Sequence, residues 1–89
     1  MAQMVESGTP ILLTSSGAVS LVAGTLLGFY VNSTSSGTVV VRNGGAAGTA
    51  ISGTITPAIG FHRFPAYCPA GCYLTIANTL SVTALFAAG

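Results

Sequence analysis

Apolar side chains recur along this chain at every second residue, the spacing of a strand with one covered face. Leu27, Phe29 and Val31 fall on one side of an extended segment, and Gly28, Tyr30 and Asn32 fall on the other. Ile51, Gly53 and Ile55 oppose Ser52, Thr54 and Thr56 in the same way. Leu80, Val82, Ala84 and Phe86 oppose Ser81, Thr83, Leu85 and Ala87. The pattern predicts strands at Ile11 to Thr14, Ala18 to Ala23, Thr25 to Asn32, Thr38 to Arg42, Ala50 to Thr56, Gly60 to Phe64, Tyr73 to Ala77 and Leu80 to Phe86. Turn-forming clusters separate them: Ser15-Ser16-Gly17, Asn32 to Gly37, Asn43-Gly44-Gly45, Pro57-Ala58, Pro69-Ala70-Gly71 and Asn78-Thr79. About eight short strands at this spacing predict an all-β fold, a small antiparallel β-sandwich or jelly-roll-like barrel. Residues 11–89 are read as its single domain, with residues 1–10 as an extended N-terminal arm.

Two segments are too apolar for strands with a wet face. Val39, Val40 and Val41 are apolar in succession, as in a strand covered on both sides, and the outer face of the last predicted strand ends in Leu85 and Ala87. Both features call for a covering surface. Val39, Val40, Val41, Arg42, Arg63 and Leu85 are therefore the candidate contacts between subunits, with the valines alternatively covered within a sandwich and the two arginines either ion-pair or backbone-binding groups at a boundary or simple solvated residues.

Composition strengthens that expectation. Of 89 residues, 51% are hydrophobic and only 3% charged, where ordinary domains carry about 25% charged residues. Glu6, Arg42 and Arg63 are the only formal charges, so the surface must be built from small polar and apolar side chains that tend to associate. A net charge of +1 offers no patch able to neutralise phosphates, so no direct nucleic-acid contact is expected. Mean hydropathy is +0.79, yet the longest apolar stretch, Ala18 to Val31, is interrupted by Ser20, Gly24, Thr25 and Gly28 and is shorter than the ~20 residues a spanning helix needs. No basic residue precedes an apolar run in Met1 to Glu6, so neither a membrane span nor a secretory leader is expected.

Catalysis finds few groups to work with. General acid–base or nucleophilic chemistry needs convergent ionisable groups, and the chain has no Asp, no Lys and one carboxylate. The expectation is no enzyme, no cofactor and no catalytic residue. Cys68-Pro69-Ala70-Gly71-Cys72 can hold two free thiols around a turn, close a small disulfide loop or, with His62, offer three soft ligands to a metal. The missing second cysteine pair argues against the last.

A longer comparison becomes possible across Leu26-Leu27-Gly28-Phe29-Tyr30-Val31-Asn32-Ser33-Thr34-Ser35-Ser36-Gly37-Thr38-Val39-Val40-Val41 and Gly48 to Ala58. It continues through Gly71-Cys72-Tyr73-Leu74-Thr75-Ile76 and Val82-Thr83-Ala84-Leu85-Phe86. Over roughly Gly8 to Phe86 the chain resembles the small β-sandwich virion proteins of tailed bacteriophages. The resemblance implies a capsid decoration, or cement, protein: a homotrimer that binds the major capsid protein at the outer capsid surface of the virion and braces the shell. Two features depart from that pattern, the uncharged loop Asn43 to Gly48 and the Cys68/Cys72 pair. Two other functions remain compatible with the residues. One is a receptor-facing tail-tip or fibre module using Tyr30, Tyr67 or Tyr73, and the other a self-assembling β polymer.

Overall fold

A computed structural model describes residues 9–88 of the chain. They form six strands and, among the described residues, no helix: β1 (Thr9–Leu13), β2 (Gly17–Ser20), β3 (Gly24–Asn43), β4 (Thr49–Ala50), β5 (Gly60–Cys68) and β6 (Cys72–Ala88). All pair antiparallel in one sheet. The expected arm, residues 1–10, lies outside the described residues except for Thr9 and Pro10, which already belong to β1.

The long strands β3 and β6 form the spine. They pair along their whole length, from Gly24 opposite Ala88 to Asn43 opposite Cys72. Each half of this ribbon carries its own flanking strands. Beside residues 24–31 the order is β1-β6-β3-β5, and beside residues 39–43 it is β2-β6-β3-β4, extended by a bridge between Val39 and Ile55. Among the described residues the sheet does not close, because β1, β2, β4 and β5 each pair on one side only. Pro10 and Pro65, unable to donate to a ladder, sit in the edge strands β1 and β5.

Eight separate strands were expected and six occur, because two expected turns are not turns. Asn32 to Gly37 and Asn78-Thr79 face each other across the ribbon, Thr34 opposite Leu80, and Thr79 opposite both Ser35 and Ser36. The extra residue makes a bulge, and a further register shift between Val31 and Ser33 lies just before it. Ser36 and Asn78 adopt positive φ, 55° and 61°, and the Asn78 side-chain amide donates to the Ser36 carbonyl at 2.8 Å. The Gly37 amide donates to Thr34 Oγ1 at 3.1 Å. The chain does not reverse here; the sheet bends. A straight strand of 20 residues would span about 65 Å, yet the longest dimension of the molecule is 42 Å. Both ends of β3 return to the same turn, Gly24 pairing with Cys68 and Asn43 with Cys72.

The core lies on the concave side of that bend. Leu26, Phe29, Val31, Val39 and Val41 of β3 meet Leu74, Leu80, Val82, Ala84 and Phe86 of β6, joined by Val19, Cys68 and Cys72. Ile11, Leu13, Ile55, Phe64 and Ile76 pack around them. Fully burying one such side chain contributes about 1.5–3 kcal/mol, so these thirteen positions hold the sheet bent. The expected inward row of β6 is the observed one. In β3 the expectation needs correction: Leu26, not Leu27, is buried, because a bulge between Leu26 and Gly28 resets the alternation before Phe29. The expected strand Ala50 to Thr56 shortens to β4 and the Ile55 bridge. Between them the Ser52 hydroxyl, rather than a ladder partner, accepts from the Val41 amide at 2.9 Å.

Candidate interaction face

Opposite the core, the half-sheet β1-β6-β3-β5 turns a second face outward. Its composition follows from the alternation: between inward Ile11 and Leu13 stands Leu12, between Val82 and Ala84 stands Thr83, between Phe29 and Val31 stands Tyr30, and between Gly60 and His62 stands Phe61. The register places these four in one row across four strands, Leu12 opposite Thr83, Thr83 opposite Tyr30, Tyr30 opposite Phe61. The neighbouring row is Pro10, Leu85, Gly28 and Arg63. Leu12 is 63% exposed, Phe61 49% and Tyr30 46%, high values for large apolar side chains in register. Gly28 has a specific place here: a Cβ on it would come within 2.9 Å of the Phe61 ring and 2.5 Å of the His62 carbonyl, so only glycine lets that ring lie across β3. Asn32 closes one end of the face, its amide donating to Thr83 Oγ1 at 3.1 Å.

The residues expected to contact other subunits divide between the two sides of the sheet. Val39 and Val41 are wholly buried in the chain's own core, which corrects the expectation that they reach a partner. Val40, between them, is half-buried on the opposite side. Arg42 is half-buried and engaged at home: Nε donates to Thr75 Oγ1 at 2.9 Å and Nη1 to the Gly48 carbonyl at 3.1 Å, anchoring the uncharged loop after β3. Leu85 and Arg63 lie on the outward face, Leu85 half-buried and Arg63 exposed. Of the tyrosines, Tyr30 and the 60% exposed Tyr67 face outward and Tyr73 is half-buried. Tyr67 lies opposite Thr25, five residues along β3 from Tyr30 and roughly 17 Å away, so the two line a surface without forming one site. Sequence reasoning missed Leu12 and Phe61. The signal for Phe61 was its place on the same strand face as Arg63; Leu12 needed the register.

His62 points inward, its ring 5.5 Å from that of Phe29, and Nε2 donates to the Ala58 carbonyl at 2.7 Å. Cys68 and Cys72 are buried free thiols at the turn joining β5 to β6. Burial, together with the neighbouring Cys68, pushes the Cys72 thiol up to about 12, the reverse of what a nucleophile or metal ligand requires. Among the described residues no three His, Cys, Asp or Glu side chains gather in one place. No known family, curated protein or solved structure matches the chain.

Proposed function

We propose that the chain is a structural virion subunit, a capsid decoration protein that binds the outer surface of a shell of major capsid protein and stabilises it by packing as a homotrimer. One observation carries this reading. Eight large hydrophobic side chains, Leu12, Leu21, Val22, Tyr30, Ile51, Ile59, Phe61 and Tyr67, stand 36% to 86% exposed on a chain with three formal charges. Such a surface is favourable only when covered, and a subunit held in many copies on a closed shell has its apolar faces covered by its neighbours. The resemblance to phage virion proteins supplies the kind of shell. In this reading the two halves of the bent sheet act as the two layers of a sandwich, its concave side the core and its convex side the contact surface.

The test is the solution mass by light scattering, followed by sedimentation with capsids assembled from the major capsid protein encoded in the same genome. A trimer that pellets with those capsids supports the proposal; a monomer left in the supernatant overturns it. The outward Tyr30 and Tyr67 favour a second reading, a receptor-facing tail-tip module. That reading calls for binding to host-cell surfaces rather than to capsids.

A further inference from the structure

We propose that the outward row Leu12, Thr83, Tyr30 and Phe61, with Pro10 and Leu85 beside it, is the surface through which copies of this chain meet, facing the axis of the oligomer. This deepens the reading above by assigning one face to self-contact, and it rests on that reading only for the number of copies.

Two observations fit a second copy as the occupant. The first is area. Tyr30 and Phe61 leave close to half their surface open and Leu12 leaves more. At roughly 200 Å² per aromatic side chain, and with Pro10 and Leu85 alongside, the face offers about 400–500 Å². That is about a tenth of the 4642 Å² molecular surface, and two such faces together remove about 800–1,000 Å² from water, the low end of specific interfaces. The second is charge. The face carries one charge, Arg63 in the neighbouring row, and no carboxylate to pair with a partner's Lys or Arg; the chain's only Glu or Asp is Glu6. An ordinary surface, about a quarter charged, would bring several groups of both signs, for which this face offers the single cation Arg63 and no anion. A partner with few charges fits this face, and another copy of the chain, with three formal charges in all, meets that condition.

The packing is side chain against side chain. Tyr30 and Phe61 are neighbours across β3 and β5 and present one continuous aromatic surface. Aromatic pairs across a contact stack offset or edge to face, and a tyrosine hydroxyl at the rim stays wet. A single carboxylate inside such a surface leaves an unpaired buried charge in every copy, so it dissociates the oligomer without touching the core of the subunit.

The experiment compares Tyr30→Glu and Leu12→Glu with Leu21→Glu, which places the same charge on an 86% exposed side chain outside the row. Light scattering gives the mass and far-ultraviolet circular dichroism the fold. The expected result is that both variants in the row fall to the mass of one 8.8 kDa chain with an unchanged spectrum, while Leu21→Glu keeps the wild-type mass. Where a glutamate variant aggregates, Tyr30→Ser, which removes the ring without adding charge, replaces it, with a tenfold or greater rise in the dissociation constant expected. Wild-type mass in the row variants overturns the inference, as does dissociation by Leu21→Glu alone or a monomeric wild type. Sedimentation of the same variants with capsids separates this inference from the reading beneath it. Row variants that keep their mass but stay in the supernatant assign the face to the shell and refute self-contact. Row variants that are monomeric while the wild-type oligomer ignores capsids refute the capsid reading and leave the self-contact standing.

Discussion

A single methyl group at Gly37 tests whether the spine bends as tightly as its register implies. A Cβ built at this position lies 2.5 Å from the Thr79 carbonyl oxygen, 2.6 Å from Leu80 Cβ and 3.0 Å from Thr34 Oγ1. Comfortable contact is about 3.5–4.0 Å. The methyl therefore falls about 1 Å short against two atoms fixed in the opposing strand, and β3 and β6 must separate at the bulge to admit it. Overpacking of this kind costs about 1–3 kcal/mol. Against it stands the ~0.4–1 kcal/mol that Gly→Ala gains by restricting the unfolded chain. The net expectation for Gly37→Ala is a loss of about 1–2 kcal/mol. Gly45 is the matched control, since a Cβ there meets nothing within 4 Å. Gly45→Ala is expected to be neutral or to stabilise by up to ~1 kcal/mol, placing the two variants about 2 kcal/mol apart. Domains of this size are stable by about 0.05–0.15 kcal/mol per residue, so the difference is a sizeable part of the total. Urea denaturation at one fixed chain concentration, so that association does not enter the comparison, reads it directly. Equal midpoints for the two alanine variants would refute the tight corner.

Other substitutions probe the rest of the sheet. Leu26→Ala is expected to cost about 2–5 kcal/mol and Leu27→Ala less than half as much, because the bulge turns Leu26 into the core; equal losses in urea would place the bulge elsewhere. Ser36→Gly should stabilise by up to ~1 kcal/mol, since it relieves a positive φ of 55°, whereas Asn78→Ala should destabilise by about 1–2 kcal/mol because its amide bond to the Ser36 carbonyl is lost while φ stays positive. With the Cys72 thiol at about 12 in the fold and its ordinary value at 9.0, the unfolded chain loses that proton first as pH rises. Stability is intact below about pH 9 and falls between 9 and 12, so thermal melts should decline over that window and Cys72→Ala should flatten the decline. For the same reason thiol reagents at pH 8 should label the folded chain far more slowly than the urea-unfolded chain.

The sequence carried the strand content well because a two-residue period survives any arrangement of the strands. Leu80, Val82, Ala84 and Phe86 point inward as their spacing demands. What spacing could not reveal was how departures from regularity would be used. Asn32 to Gly37 and Asn78-Thr79 have turn chemistry, and turn chemistry says only that the pleat is interrupted. Whether the chain then reverses or the sheet bends depends on what lies opposite, and here the two interruptions face one another. The same limit applies to Leu26 and Leu27, equally apolar neighbours of which one residue of register selects the inner. It applies also to the outward face. Tyr30 was legible as an outward side chain, but its adjacency to Phe61 and its row with Leu12 exist only through pairings between distant parts of the chain. Val39 and Val41 show the opposite case, an apolar run that asked for a cover and found it within the same chain.

The spine also sets the order in which the protein can come into being. β1, β2 and β3 all take β6 as a partner, and β6 follows all three in the sequence. Until β6 is made, β1 and β2 have no mate and β3 has only β4 and β5, and the loops that must close to join them to β6 are long. Topologies of this kind fold in milliseconds to seconds rather than microseconds, and until closure Phe29, Val31 and Val39 stay open to other chains. Completion of the sheet is therefore expected to wait for β6, with an aggregation risk that rises with the rate of expression. Only a chain with β6 in place presents the completed outer face, since Thr83 and Leu85 stand at its centre.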